Sequence, residues 1–258
     1  MSENVYRQTI EQPSDRVIVA LDNMGWGKAE LIMSDVGDHT GMGKANSIAQ
    51  AQGWQHAVSR LNAFGVETFA DTKFHDIPET VRLQVKAVTE TGPSLLTVHA
   101  SGGLVMMQHA VLGRDQAKAE METDKRSRIG GILGITILTS LDSETCVSLY
   151  GDEPEKKVVQ FAHLALEAGV DGIVCSAKEL RAIRALSALD GLVTVVPGIT
   201  PIWAVKAGDQ KRVATPTDAL NDGADFLVIG RAITQPPEGI NYKEAAQRIE
   251  QEVRMVAA

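Results

Sequence analysis

The chain has 258 residues, 44% of them hydrophobic, enough for one large domain with a full core. A formal net charge of −8 argues against general nucleic-acid binding and leaves room only for a local basic pocket. The two cysteines, Cys146 and Cys175, lie in apolar surroundings without CxxC spacing, so they read as buried structural thiols of a reducing compartment and not as a zinc or redox site.

The N-terminus, MSENVYRQTIEQPSD, lacks a basic region followed by an apolar segment, and no run is long and apolar enough to span a bilayer. A cytoplasmic protein with residues 1–14 as an N-terminal extension is the expectation. RVIVALD (16–22) then reads as a strand ending in Asp22, and WGKAELIMSDV (26–36) as a helix with its apolar residues on one side. TGMGKA (40–45) is the second strand and carries Lys44; WQHAVSRLNAF (54–64) is the helix after it. In VETFADTK (66–73) the chain alternates, and a strand sends residues i and i+2 to the same side, so Asp71 and Lys73 project together. Asp76 follows in a short loop. IPETVRLQVKAVTETG (77–92) is helical, with Pro78 just inside its start and Ile77, Val81, Val85 and Val88 at roughly helical spacing.

SLLTVHA (94–100) is the fourth strand, ending in His99, before the helix at 102–122. GILGITILT (131–139) reads as a fifth strand reaching Thr139 and Ser140, and EKKVVQFAHLALEAG (155–169) as its helix. DGIVCSA (171–177), the helix KELRAIRALSAL (178–189), LVTVVPG (192–198) and the helix TPTDALNDG (215–223) continue the pattern. DFLVIGR (225–231) ends in Gly230 and Arg231, and YKEAAQRIEQEV (242–253) is the last helix. Strands nearly continuous in Val, Ile and Leu are buried on both faces, as a parallel sheet requires. About eight such units in roughly 250 residues match a single-domain (β/α)8 TIM barrel better than a doubly wound open sheet. Active sites of these barrels form at the carboxyl ends of the strands, so Asp22, Lys44, Asp71, Lys73, His99, Thr139, Gly230 and Arg231 converge on one rim. Singly, each has a plainer reading: Asp22 a helix cap, Lys44 a snorkelling side chain, His99 a core histidine, Gly230 a tight turn.

VIVALD, GKANS, FADTKFHDIPETV, TVHASGG, ITILTS, GIVCSAKE, VVPGI, AGDQKRVATP and FLVIGRAITQ, in this order, resemble the orotidine 5′-phosphate decarboxylase family over nearly the whole chain. The most specific part is the DxKxxDIPxT segment. The resemblance implies decarboxylation of orotidine 5′-phosphate to UMP, the last step of de novo UMP synthesis, by a homodimer with shared active sites and without metal or organic cofactor. It makes Lys44, Asp71, Lys73 and Asp76 an alternating network of cations and carboxylates, with Asp76 reaching into the neighbouring subunit's site and Lys73 as proton donor. It also assigns the ribose hydroxyls to Asp22 and, across the dimer interface, to Thr80, the pyrimidine to Thr139, and the phosphate to Gln210, Gly230 and Arg231. Loss of CO2 from C6 leaves a carbanion with little resonance help; an ammonium group beside C6 balances that charge and then supplies the proton. The loop GITPIWAVKAGDQK (198–211) is the expected closing segment over the phosphate.

The chain departs from the family pattern in places. Thr200 stands where many bacterial members have arginine, with Lys206 and Lys211 nearby as substitutes; Thr72 replaces a commoner leucine; and KANS replaces KVG, so Lys44 aligns only with a one-residue gap. One alternative is a metal-dependent sugar-phosphate lyase of the 3-keto-gulonate-phosphate decarboxylase or hexulose-phosphate synthase type, which follows the second aspartate with AG and not with Ile77 and Pro78. The other is a non-catalytic nucleotide-binding barrel, for which paired aspartates beside an anionic ligand serve no purpose.

Overall fold

The computed structural model describes residues 4–121, 129–205 and 214–257. Its strands are β1 (Val17–Ala20), β2 (Met42–Ala45), β3 (Glu67–Phe74), β4 (Leu95–His99), β5 (Gly131–Ile135), β6 (Gly172–Val174), β7 (Val193–Pro197) and β8 (Phe226–Ile229). All neighbours pair in parallel, and β1 with β8 closes the barrel. The helices are α1 (Val5–Gln8), α2 (Trp26–Val36), α3 (Ser47–Gln52), α4 (Trp54–Asn62), α5 (Pro78–Thr89), α6 (Gly103–Glu120), α7 (Ser143–Tyr150), α8 (Pro154–Ala168), α9 (Leu180–Arg184), α10 (Pro216–Asn221), α11 (Arg231–Thr234) and α12 (Tyr242–Ala257). Among the described residues, no helix is long and apolar enough to cross a membrane. Cys146 and Cys175 are both buried free thiols.

The period-two alternation of the strands divides the core into two. Ile18, Met42, Phe69, Leu95, Leu133, Val193, Val195, Phe226 and Val228 fill the barrel interior. Their neighbours Val17, Val19, Ala70, Leu96, Ile132, Val196, Leu227 and Ile229 face outward and pack beneath the helices. One step further along the interior phase, Met42 leads to Lys44, Phe69 to Asp71 and Leu95 to Thr97, so the apolar floor dictates which polar side chains stand above it.

Several sequence expectations need correction. β5 ends at Ile135, short of Thr139 and Ser140. The Thr136 N–H and hydroxyl both bond Val174 O, at 3.1 and 2.8 Å, which completes the last rung, and Leu141 N–H then closes a turn on Leu138 O. β6 covers only Gly172–Val174 of the expected 171–177. The helix expected over 178–189 is α9 followed by a separate 3-10 turn, because Leu186 is extended. β8 stops at Ile229, and Arg231 is the first residue of α11. Four helices, α1, α3, α7 and α11, have no counterpart among the sequence expectations.

Residues before β1 form part of the core. Tyr6, 2% exposed, enters the lower mouth of the barrel among the interior side chains. Gly131 makes room for it: a Cβ there would lie 2.4 Å from Tyr6 Cζ. The segment is tied down by Arg7, which donates through Nε to Asp225 Oδ1 at 2.8 Å and through a terminal nitrogen to Leu192 O at 2.7 Å. Asn4 adds a bond from Nδ2 to Asp171 O at 2.8 Å. Replacing Tyr6 with alanine opens a cavity that the closed barrel cannot collapse, at a cost of about 3–5 kcal/mol. Urea denaturation of Tyr6→Ala is expected to show that loss as a lower midpoint with an unchanged slope.

Candidate active site

The charged side chains meet over the floor of the barrel. Lys44 and Asp71 are 8% and 6% exposed. Lys44 Nζ donates to Asp22 at 2.9 and 2.7 Å and to Asp71 Oδ2 at 3.0 Å. Lys73 Nζ donates to the same Asp71 Oδ2. The side chain of Lys73 is 41% exposed against 10% for Lys44, so Lys73 is the ammonium that the network presents to a ligand. Burial works against charge on both Lys44 and Asp71, but the opposite charges outweigh it. The Lys44 pKa is held above 10.5 by Asp71 and Asp22, and that of Asp71 below 3.8 by Lys44 and Lys73. Both stay ionised throughout the neutral range.

β3 is irregular at this point. Its register against β4 runs Phe69 to Leu95 and Ala70 to Leu96, then slips so that Phe74 faces Val98. The extra residues form a bulge, and Lys73 within it has a φ of 52°. Thr72 and Thr97 carry hydrogen bonds across the gap: Thr72 Oγ1 donates to Thr97 O at 2.6 Å and accepts from Thr97 N–H at 3.2 Å. Lys73 N–H donates to Thr97 Oγ1 at 2.8 Å, and that hydroxyl donates to Asp71 Oδ1 at 3.1 Å. Asn46, after β2, donates from Nδ2 to Asp71 O at 2.6 Å.

The network opens into a cavity of about 620 Å³ at the carboxyl ends of the strands. Asp22, Lys44, Asp71, Lys73, Thr139, Gly230 and Arg231 all line it, as do Lys28 and Thr200. Thr139 reaches it from the loop four residues past β5. At Gly230 an added Cβ would make only ordinary contact with Ala20, at 3.7 Å, so the glycine leaves the strand end open to the cavity without being demanded by crowding. Asp76 and Thr80 are not among the lining residues. Asp76 is exposed and accepts a hydrogen bond from its own neighbour Ile77 N–H at 2.7 Å. Gln210, Lys206 and Lys211 lie outside the described residues.

Sequence reasoning missed Thr72, Thr97, Asn46 and Lys28. Thr97 was accessible to it, since TVH places Thr97 and His99 on one side of β4 just as Asp71 and Lys73 share a side of β3. The bulge that turns Thr72 toward β4 leaves no periodic signal. Lys28, in the first turn of α2, has no carboxylate partner among the described residues; nor does Arg231. Every other lysine lining the cavity is held by an aspartate.

His99 closes β4 beside this network, its ring 5.4 Å from that of His75 in a tilted arrangement. Burial pushes its pKa below 6.5; His75 and Lys73 push the same way, against a smaller opposing pull from Asp71. The folded chain thus binds this proton less readily than the unfolded chain. Stability from this source is fully present above the ordinary histidine range and is lost as pH falls through it. NMR titration is expected to place the His99 midpoint below 6.5. A His99→Asn variant is expected to lose less stability than the parent between about pH 7 and about pH 5.

Residues 15–249 match the family model described as Orotidine 5'-phosphate decarboxylase / HUMPS family. The chain is 39% identical over 247 residues to a protein of Heliobacterium modesticaldum named orotidine 5'-phosphate decarboxylase, covering 94% of this chain and 97% of that one. A protein of the same name from Moorella thermoacetica is 39% identical over 245 residues, covering 94% of this chain and 93% of its own. The crystal structure of orotidine 5'-phosphate decarboxylase from Lactobacillus acidophilus superposes with a TM-score of 0.76 at 29% identity, over 93% of this chain and 99% of that one.

Proposed function

Because this chain belongs to the orotidine 5′-phosphate decarboxylase / HUMPS family, we infer that it decarboxylates orotidine 5′-phosphate to UMP and CO2 in pyrimidine biosynthesis. The observation that carries the mechanism is Lys73, the more open of the two ammonium groups bonded to the buried Asp71, facing the cavity. Asp22, Lys44, Asp71 and Lys73 carry two negative and two positive charges and are together neutral. A pyrimidine carboxylate bound against Lys73 brings in one negative charge, and departure of CO2 leaves that charge on C6. Lys73 gains interaction as charge concentrates on the carbon, which is stabilisation of the transition state in preference to the ground state, and then delivers its proton there. Lys44, drawn to Asp71 from the far side, keeps the carboxylate from following Lys73 as it moves.

The phosphate lies against Gly230 and Arg231, with Lys28 as a second cation. These are the cavity's cations not already spent on carboxylates among the described residues, and a phosphate dianion needs such partners. Asp22 faces the ribose and Thr139 the pyrimidine. Gln210 is assigned to the phosphate on the family pattern alone. The protein works in the cytoplasm as a homodimer. Asp76 and Thr80 serve the partner's pocket, a reading supported by their absence from the lining of their own cavity. The exposed apolar side chains of Ile77, Leu83, Val105 and Leu112, on or next to α5 and α6, supply surface for the partner chain to cover.

Incubating the purified, chelator-treated protein with orotidine 5′-phosphate and following orotate absorbance tests the reaction, and absence of turnover refutes it. Lys73→Ala is expected to abolish turnover while UMP affinity stays within a modest factor. Mixing Lys73→Ala with Asp76→Ala subunits tests the shared site. Random exchange makes about half the dimers mixed, each with one intact site, so recovery of about a quarter of the parent activity is expected. No recovery after exchange is verified by mass spectrometry assigns Asp76 to its own chain's pocket.

A further inference from the structure

Asp71 offers Oδ2 to both ammonium groups, and its other oxygen, Oδ1, accepts from the Thr97 hydroxyl at 3.1 Å. A hydroxyl has a single hydrogen to donate and lone pairs to spare. With that hydrogen on Asp71, Thr97 Oγ1 is free to accept the backbone N–H of Lys73, at 2.8 Å. One fully buried oxygen thus holds the carboxylate of Asp71 and the backbone of Lys73 together. Lys73 needs holding, because a φ of 52° is disfavoured for a residue with a side chain and persists only where surrounding bonds impose it. Thr72 completes the arrangement by exchanging bonds with the Thr97 carbonyl and N–H, so the strand bearing the network is fastened to β4 at one residue from two directions.

We propose that Thr97 is a positioning residue for the decarboxylation: its hydroxyl fixes the rotation of the Asp71 carboxylate and the backbone angle of Lys73, and thereby the direction of the Lys73 ammonium. The proposal rests on the decarboxylase reading given above. Without the hydroxyl, Oδ1 becomes a buried acceptor with no partner and the carboxylate turns to find one, carrying Oδ2 away from its place between the lysines. Ångström-scale misplacement of a reacting group is enough to lower a rate about 100-fold. UMP affinity rests mainly on the phosphate and pyrimidine contacts assigned to Arg231, Lys28 and Thr139, none of which is bonded to Asp71 or Thr97, so it is expected to change much less than kcat.

The test compares the parent, Thr97→Val and Thr97→Ser in turnover of orotidine 5′-phosphate, in UMP affinity by calorimetry, and in hydrogen exchange of the Lys73 amide by NMR. Thr97→Val is expected to lose about 10- to 100-fold in kcat with UMP affinity within about threefold, and its Lys73 amide is expected to exchange faster. Thr97→Ser, which restores the hydroxyl, is expected to recover parental exchange and most of kcat. Should Thr97→Val fail to fold, Thr97→Ala removes the same hydroxyl without setting a methyl group against Asp71. Parental kcat in the variant lacking the hydroxyl overturns the proposal. So does loss of UMP affinity in step with kcat that serine does not rescue, since that pattern belongs to general structural damage. A parent without turnover refutes the decarboxylase reading instead, and unchanged Lys73 amide exchange in the variant overturns the positioning role independently of any activity.

Discussion

A carboxylate buried between two ammonium groups is tolerable only while all three are held in register, and the upper half of this barrel depends on that condition at Asp71. Taking such charges from water is costly, and mutual attraction repays the cost only with good geometry and with the remaining lone pairs satisfied. Lys44 and Lys73 come from adjacent strands, and the hydroxyl on Asp71 Oδ1 comes from the strand on the other side. Those positions are correct only because Met42, Phe69 and Leu95 fix the inward phase of the same three strands. A slip of one residue in any of them would turn the polar group out beneath the helices and strand its partners. The hydrophobic floor is accordingly what makes the electrostatics possible.

The network also divides labour between its lysines. Lys44 is enclosed, with both neighbouring carboxylates bonded to it, and is spent on structure. Lys73 shares one oxygen and keeps an open side. A neutral cluster that exposes a cation discriminates by where charge sits on the ligand more than by how much it carries, since the added anion meets no net attraction at a distance but a strong local one at the ammonium.

Much of this was legible in the sequence because two periodicities carried it. Alternation within VETFADTK singled out Asp71 and Lys73 as a pair, although a bulge and not a regular pleat lies between them, and the recurrence of strand and helix specified a closed parallel barrel whose strand ends gather the site. What was illegible has physical causes. The bulge at Thr72 breaks the alternation by which strands are read, so its bonds to Thr97 have no signature. TILT, residues 136–139, has the composition of a strand but leaves the sheet after Thr136 takes the last rung on Val174, a tertiary partner that local pattern cannot reveal. The N-terminal residues look like an extension, yet Tyr6 is core, because the space it fills exists only after Gly131 on a distant strand has left it vacant.

That last feature decides the traffic through the molecule. With Tyr6 stoppering the lower mouth and a layer of apolar side chains above it, the reaction chamber is a blind well with its opening at the upper rim. For the proposed reaction, the nucleotide enters by that rim and CO2 leaves by it. The stopper and the apolar layer above it keep bulk water from entering the well from below, so any solvent that meets a bound ligand comes from the same side as the ligand itself.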